Sequence, residues 1–126
     1  MHLTVTRDMR TIEKVTRIGD LFDLYGTLLT TRQREMIELH YFDDWSLAEI
    51  AEQFGVSRQA VHDNLRRAEE QLESYEVALS LLRTKQEERR LFRTVQQMWD
   101  ENRTEISEPL RTRLDTFLTV LGEKYR

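Results

Sequence analysis

The chain has 126 residues, which predicts one compact domain or a module with one extension. It has no cysteine, which excludes a disulfide framework, a thiolate zinc site and a cysteine nucleophile. The 19 Lys and Arg residues against 23 Asp and Glu leave a net charge of −4, so the chain is not a basic protein. No stretch approaches the ~20 apolar residues of a membrane span, and the N-terminus lacks the apolar region of a secretion signal. We therefore expect a cytoplasmic protein without membrane insertion.

Apolar residues recur at spacings of three and four along almost the whole chain, which predicts an all-α protein. The first helix is expected over Asp8–Tyr25. Gly19 lies within it as a point where the helix can break, and Gly26 follows as its C-terminal cap. A second helix begins where Thr30 and Gln33 fit a capping box, in which two side chains satisfy exposed backbone N–H groups.

The clearest helix start is the S-x-x-E pattern of Ser46 and Glu49. Gly55 ends that helix because glycine adopts positive φ without steric cost, and Ser57 is placed to cap the helix that follows. A short helix, a tight turn and a second helix thus extend from Ser46 to Arg67. This order predicts a helix-turn-helix, in which the first helix supports the second against a nucleic-acid groove.

Outward-facing side chains at the start of the second helix are the candidate binding residues. Arginine pairs with guanine, glutamine pairs with adenine, and serine or arginine contacts phosphate. The predicted nucleic-acid-binding residues are Ser57, Arg58, Gln59, His62, Arg66 and Arg67. The alternative interpretation is an ordinary solvated helix face, with Arg67 paired to Glu70. Asp63 on this face would repel phosphate.

The second helix of the motif is expected to be long, because apolar residues keep the spacing of a coiled-coil seam from Val61 to Leu82. Such a seam is either core or a dimer interface. Polar residues over Arg83–Arg90 then interrupt it and form either a solvated helical bridge or a hinge, and we favour the bridge because the stretch has no Gly or Pro. The predicted division is a helix-turn-helix domain with its N-terminal helix over residues 1–82 and a C-terminal helical arm or hairpin over residues 83–126.

The C-terminal arm is expected to turn at Asn102–Ser107 before a last helix. The inner face of that helix is predicted to consist of Leu110, Leu114, Phe117, Leu118 and Leu121. Met98 and Trp99 precede the turn, and they are either core of this hairpin or a partner surface. We favour the core because the last helix offers a matching apolar stripe.

Catalytic and metal chemistry find little support in the sequence. There is no phosphate-binding glycine loop, no G-x-S-x-G motif and no pair of carboxylates on a pocket-forming strand, so we expect no enzyme activity and no cofactor. His40 with Asp43 and Asp44 has a metal-like spacing, but no third nitrogen or sulfur ligand lies near. We interpret His40 as a partly buried residue at a helix end.

The motif resembles region 4 of bacterial sigma factors and, more closely, the YlxM family of small Gram-positive helix-turn-helix proteins. The motifs that carry the likeness are SLAEIA, FGVSRQAV and N-RR, preceded by LFDLYGTLLTTRQREM. The likeness extends from Ile18 to about Leu82 and more loosely over the charged C-terminal arm. It implies a regulatory role in the signal recognition particle pathway, because the family's genes lie beside that of the particle's GTPase.

Charge bears on which ligand is bound. The segment Thr30–Glu73 holds five basic and ten acidic residues, so the part most like a DNA reader is the most acidic. A basic face is the usual footprint of DNA binding, and tight autonomous DNA binding is therefore not expected.

Three hypotheses follow. The leading one is a non-enzymatic accessory protein that binds the RNA, the GTPase or the receptor of the signal recognition particle pathway. The alternative is a transcriptional regulator whose homodimer reads DNA half-sites. A third is a protein-interaction scaffold that uses the seam and the arm.

Overall fold

The computed structural model describes residues 2–125, with side chains from residue 11 onward. Within that range the chain is helical and confirms the predicted all-α class, and none of its helices is long and apolar enough to cross a membrane. The helices are α1 (His2–Tyr25), α2 (Thr31–Ile37), α3 (Leu47–Phe54), α4 (Arg58–Leu79), α5 (Leu81–Asn102) and α6 (Leu110–Tyr125). Short 3-10 turns lie at Gly26–Leu28 and Arg103–Glu105, and a π-helical turn lies at Glu38–Phe42.

The chain forms two compact units, residues 1–82 and residues 83–126. The first unit has one hydrophobic core, to which α1, α2, α3, α4 and the first turn of α5 contribute. Its most deeply buried side chains are Leu21, Tyr25, Met36, Ile37, Ile50, Val61 and Leu72. These residues lie on the stripes that the three- and four-residue spacings predict.

The glycines of α1 do not act as the sequence predicts. The helix begins at His2, earlier than Asp8, and it passes through Gly19 without a break. Gly26 does not cap the helix with a positive φ but begins a 3-10 turn. A Cβ at Gly26 would lie 3.1 Å from the ring of Phe22, so a larger residue here would have to displace that ring.

Both predicted capping boxes are present. The Thr30 hydroxyl accepts from the Gln33 backbone N–H at 3.2 Å, and the Gln33 amide oxygen accepts from the Thr30 N–H at 3.0 Å. Ser46 and Glu49 make the same reciprocal bonds at 3.1 and 3.0 Å. Hydrogen bonds from Ser46 lower the pKa of the Glu49 carboxyl, which keeps it ionised as an acceptor. The starts of α2 and α3 are thus specified by pairs of residues only three positions apart in sequence.

The prediction of one long helix through Leu82 is wrong, because Ser80 adopts φ +54° and separates α4 from α5. The buried Glu76 carboxylate accepts from the Tyr25 hydroxyl at 2.7 Å and from the Leu82 N–H at 3.0 Å. The Tyr25 oxygen in turn accepts from the Leu81 N–H at 3.1 Å. These acceptors satisfy backbone donors that have no partner at the start of a helix. The apolar residues keep their regular spacing across Ser80, so the sequence pattern does not reveal that the helix ends there.

The seam along α4 is core of its own domain. Val61, Leu65, Ala68 and Leu72 are buried in the first unit, whereas Leu79 is 53% exposed. In the folded domain these four side chains are already covered, so they do not offer a dimer interface.

The second unit consists of residues 83–102 of α5, the 3-10 turn and α6. Arg83–Arg90 is helical, as predicted. Trp99 is half-buried and its indole Nε1 donates to Asp115 Oδ1 at 2.6 Å, which agrees with a packed position against α6. The Arg103 guanidinium pairs with the same carboxylate and, with the indole, lowers the pKa of Asp115.

Two expectations for the second unit are wrong. Met98 is 59% exposed and does not belong to the hairpin core. On α6, Leu118 is buried, but Leu110 and Phe117 are 52% and 59% exposed, although the predicted inner face included them. The apolar stripe of each helix is wider than the strip that the other helix covers.

We expect Glu76→Ala to lower the free energy of unfolding by about 2–3 kcal/mol, because it leaves buried donors without an acceptor. The matched control is Glu70→Ala, which removes an exposed carboxylate from the same helix and should change stability by less than about 0.5 kcal/mol. Urea unfolding followed by circular dichroism measures both variants. Equal losses for the two would contradict a structural role for the buried carboxylate.

Candidate nucleic-acid interface

The helix-turn-helix is formed by α3, a tight turn and α4. Gly55 has φ +66° and closes α3, and the Val56 N–H donates to the Ala51 carbonyl at 3.0 Å. The Ser57 hydroxyl then accepts from the Ala60 N–H at 3.0 Å and caps α4. The structural roles predicted for Gly55 and Ser57 are confirmed.

Apolar packing between α3 and α4 holds the second helix in place. Ile50 and Ala51 of α3 and Val61 and Leu65 of α4 are buried in one cluster. Ala48 of α3 is small enough for a close helix crossing but is exposed. Since the buried residues of α4 recur at spacings of three and four, the opposite side of the helix is left to solvent.

Gln59, His62, Arg66 and Arg67 lie on that solvent-facing side of α4, and Arg58 is exposed in the first turn of the helix. We call these five residues, with Ser57, the α4 face. Arg58, Gln59 and His62 line one shallow surface depression together with Leu47 of α3. Arg66 and Arg67 lie one turn further along the helix. The Ser57 oxygen is occupied by the helix cap.

The side chains of the α4 face have few competing partners. Gln59 Nε2 donates to Asp63 Oδ1 at 2.9 Å, and His62 Nδ1 lies 3.7 Å from the same carboxylate oxygen. The predicted pairing of Arg67 with Glu70 is not formed. Instead, Arg66 Nε lies 3.6 Å from Glu70 Oε1, across one full helical turn. Among the described side chains, Arg58 and Arg67 form no ion pair.

Two carboxylates further along α4 are neutralised by α1. Lys14 Nζ lies 2.9 Å from Glu69 Oε1, and the Arg17 guanidinium donates to both Glu73 oxygens at 3.0 and 2.8 Å. The hydrogen bond with Glu69 raises the pKa of Lys14, and that with Arg17 lowers the pKa of Glu73. The pair of Arg17 and Glu73 therefore keeps its opposite charges near neutral pH.

Other acidic residues lie away from the α4 face. Glu35, Glu38 and Asp43 line a depression between α2 and α3 whose apolar wall is formed by Leu39, Trp45 and Phe54. No residue of α4 lines this depression. The first turns of α4, residues 58–67, hold three arginines against one aspartate. The net charge of the whole motif therefore does not describe the charge of its binding face.

His40, which precedes the helix-turn-helix, has a structural contact. His40 is half-buried at the end of the α2 segment, as predicted, and its Nδ1 lies 2.9 Å from the Trp45 carbonyl oxygen. This hydrogen bond ties the π-helical turn to the segment that leads into α3. In the described part of the chain, no group of three His, Asp or Glu side chains is placed to hold a metal ion.

Sequence reasoning did not identify Lys14 and Arg17 as residues that shape the interface. Arg17 and Glu73 are 56 residues apart in sequence, so no local spacing links them. The sequence does show basic residues on the amphipathic α1. They indicate a polar helix face, but they do not indicate which helix lies against it.

Comparison with known proteins gives the family of this chain. Residues 12–111 match the family described as "Putative helix-turn-helix protein, YlxM / p13 like". The chain belongs to this family. Its similarity to a UPF0122 protein of Bacillus licheniformis is 49% identity over 90 residues, which are 71% of this chain and 84% of the relative. UPF0122 proteins of Bacillus mycoides and Bacillus anthracis are 52% identical over 90 residues, 71% of this chain and 82% of each relative. The resemblance read from SLAEIA and FGVSRQAV is confirmed.

The left-handed conformation of Gly55 gives a direct test of the turn. A Cβ at this position meets nothing within 4 Å, so a substitution changes only the backbone strain. We expect Gly55→Ala to lower the free energy of unfolding by about 1–2 kcal/mol. Gly55→Asn should cost less, since asparagine tolerates positive φ better than alanine does. Thermal unfolding compares the two, and an equal loss for both would argue against strain as the cause.

Proposed function

We propose that this YlxM-like chain is a non-enzymatic accessory protein that binds the RNA of the signal recognition particle through the α4 face. The observation that carries the proposal is the charge of that face: three exposed arginines against one aspartate, on a helix held by a helix-turn-helix. The sequence resemblance over Ile18–Leu82 supports the choice of pathway. The family match supports the helix-turn-helix.

The chemistry of the α4 face suits a nucleic acid. Arg58 and Arg67 have free guanidinium groups for phosphate or for the O6 and N7 atoms of guanine. Gln59 and His62 add side chains that can bond to base edges, and His62 also offers a ring for stacking. The N-terminal end of α4, capped by Ser57, adds partial positive charge near these groups.

The basic surface of α4 is short, and a compact RNA element matches its length. From Arg58 to Arg67 the α4 axis advances by only about 14 Å. Beyond Arg67, the acidic residues of α4 begin with Glu69 and Glu70. A loop or bulge presents phosphates and unstacked bases within such a distance. The limited length of the basic surface supports a compact RNA element as the ligand.

The proposal is tested by fluorescence anisotropy on the full chain. The probes are in vitro transcribed signal recognition particle RNA and a mixed-sequence DNA duplex of equal length, both at about 50 mM salt. Tighter binding of the RNA is expected. Tighter binding of the duplex would overturn the RNA assignment, and binding of neither probe would overturn nucleic-acid recognition by this face.

Arginine substitutions on the α4 face give the sharper measurement. We expect Arg58→Ala and Arg67→Ala each to weaken RNA binding by about tenfold and to reduce the salt slope by ~0.7–0.9, because each removes one phosphate contact. The control is Arg93→Ala, which removes an exposed arginine of α5 and should change neither quantity. Equal weakening by Arg93→Ala would show that binding is non-specific charge attraction.

A second candidate function is a homodimeric regulator of transcription that reads DNA half-sites with the same face. The arrangement of Ser57, Arg58 and Gln59 at the start of α4 favours it, since these are the positions from which a recognition helix enters the major groove. A dimer would double the three arginines of one copy. The duplex arm of the anisotropy experiment decides between the two functions.

The acidic depression between α2 and α3 supports a protein partner in the same pathway, the particle's GTPase or its receptor. Its carboxylates, Glu35, Glu38 and Asp43, surround an apolar wall that includes Trp45 and Phe54. Such a surface complements a basic segment with an apolar anchor. Contact with one assembly state of the partner would then shift the balance between states.

We expect Glu35→Lys with Glu38→Lys to weaken binding to the purified GTPase or receptor by about tenfold or more, because it places like charges opposite a basic surface. Glu52→Lys on α3 is the matched control, since Glu52 is exposed and does not line the depression. Isothermal titration calorimetry measures the affinities. If the double variant and the control bind as the wild type does, this depression is not the contact surface.

A further inference from the structure

The second unit has an apolar surface beside its hairpin interface. Six large apolar side chains of this unit are between 49% and 62% exposed: Leu91, Val95 and Met98 on α5, and Leu110, Phe117 and Val120 on α6. We call these six residues the hairpin face. On each helix, spacings of three, four or seven place the three residues along one side.

The contacts within the hairpin leave this face uncovered. The two helices meet through other side chains: Phe92 stacks on Tyr125 with ring centroids 5.5 Å apart, and Trp99 donates to Asp115. Leu91, Val95 and Phe117 line a groove of about 310 Å³ beside that contact. Two helices form only one layer, and an apolar stripe wider than their contact needs a second layer to bury it.

We infer that the hairpin face packs against the same face of a second copy of this chain, forming a four-helix bundle. The area supports this occupant. Six side chains that are about half exposed offer on the order of 500 Å² per copy, or ~1,000 Å² from two copies, which reaches the lower limit of a specific interface. An apolar patch of this size is as large as the largest patch of a typical monomer, which is often functional. When the hairpin faces of two copies pack on each other about a two-fold axis, the whole of this area is buried in a single interface.

Charge at one end of the face supports the same arrangement. Glu88 lines the groove together with Tyr125, and Lys124 precedes Tyr125 on α6. Both are exposed, and neither forms an ion pair among the described side chains. With a two-fold axis along the bundle, α5 of one copy runs antiparallel to α6 of the other. Glu88 then faces the partner's Lys124, and this pair occurs twice in the dimer.

This inference goes beyond the proposed function, because it rests on the second unit alone. RNA binding by the α4 face neither requires the dimer nor follows from it. The dimer would bring together two α4 faces, one from each copy of the chain. If either RNA binding or dimerisation is disproved, the other is still tested by its own experiment.

Sedimentation equilibrium on the full chain tests the inference. We expect a dimer at about 10 µM and a loss of affinity of at least ~100-fold for Phe117→Asp, which puts two carboxylates into the apolar contact. The control is Val77→Asp, since Val77 is 83% exposed on α4 and lies outside the hairpin face. Circular dichroism of both variants verifies that the helices are retained. A monomeric wild type, or a dimer that persists in Phe117→Asp, would overturn the inference.

A charge exchange tests the antiparallel arrangement. Glu88→Lys and Lys124→Glu should each weaken the dimer by about tenfold, because each places like charges opposite each other at two sites. The double variant Glu88→Lys with Lys124→Glu should regain the wild-type affinity. An equimolar mixture of the two single variants should form heterodimers. A double variant as weak as the single variants would overturn the pairing of Glu88 with the partner's Lys124.

Discussion

The buried stripe of α4 is the contact on which the helix-turn-helix unit depends. Val61, Leu65, Ala68 and Leu72 lie in the one core to which α1, α2 and α3 also contribute. Because an α-helix presents only one such stripe to its neighbours, burying it determines which residues of α4 remain in solvent. The exposure of His62 and Arg66 follows from the burial of Val61, because residues one and five positions later lie about 100° and 140° around the helix from it. Packing thus sets the orientation of the candidate interface.

Electrostatics refines that surface without changing the fold. The ion pair of Arg17 with Glu73 and that of Lys14 with Glu69 lie between partly exposed side chains, so each contributes little to stability. Their larger effect is on the field around α4, since they neutralise two carboxylates close to Arg66 and Arg67. An acidic protein can in this way present a locally basic helix. Glu35, Glu38 and Asp43 lie apart from the arginines of α4, together at the depression between α2 and α3.

The break at Ser80 shows how a buried polar group can override a regular apolar pattern. A carboxylate at the position of Glu76 is costly to bury unless donors surround it, and Tyr25 and the start of α5 supply them. Burial raises the pKa of the Tyr25 hydroxyl, with the bond to Glu76 as a further cause, which keeps its proton available for that bond. The start of α5 is thereby attached to α1. The compact first unit ends here, at residue 82.

The sequence by itself determined the features that depend on neighbouring residues. These features are the capping boxes at Thr30 and Ser46, the left-handed Gly55 and the helical spacings. Each involves groups within one or two helical turns of each other, so its pattern can be recognised in the sequence. Only the tertiary structure decided which helix neutralises Glu73, where the α4 seam ends and how much of the α5 and α6 stripes stays exposed. Each of these depends on residues distant in sequence, as Arg17 is from Glu73 and Tyr25 from Glu76. Periodicity marks the apolar side of a helix, but it does not specify what covers that side, because burial is a property of the packed chain.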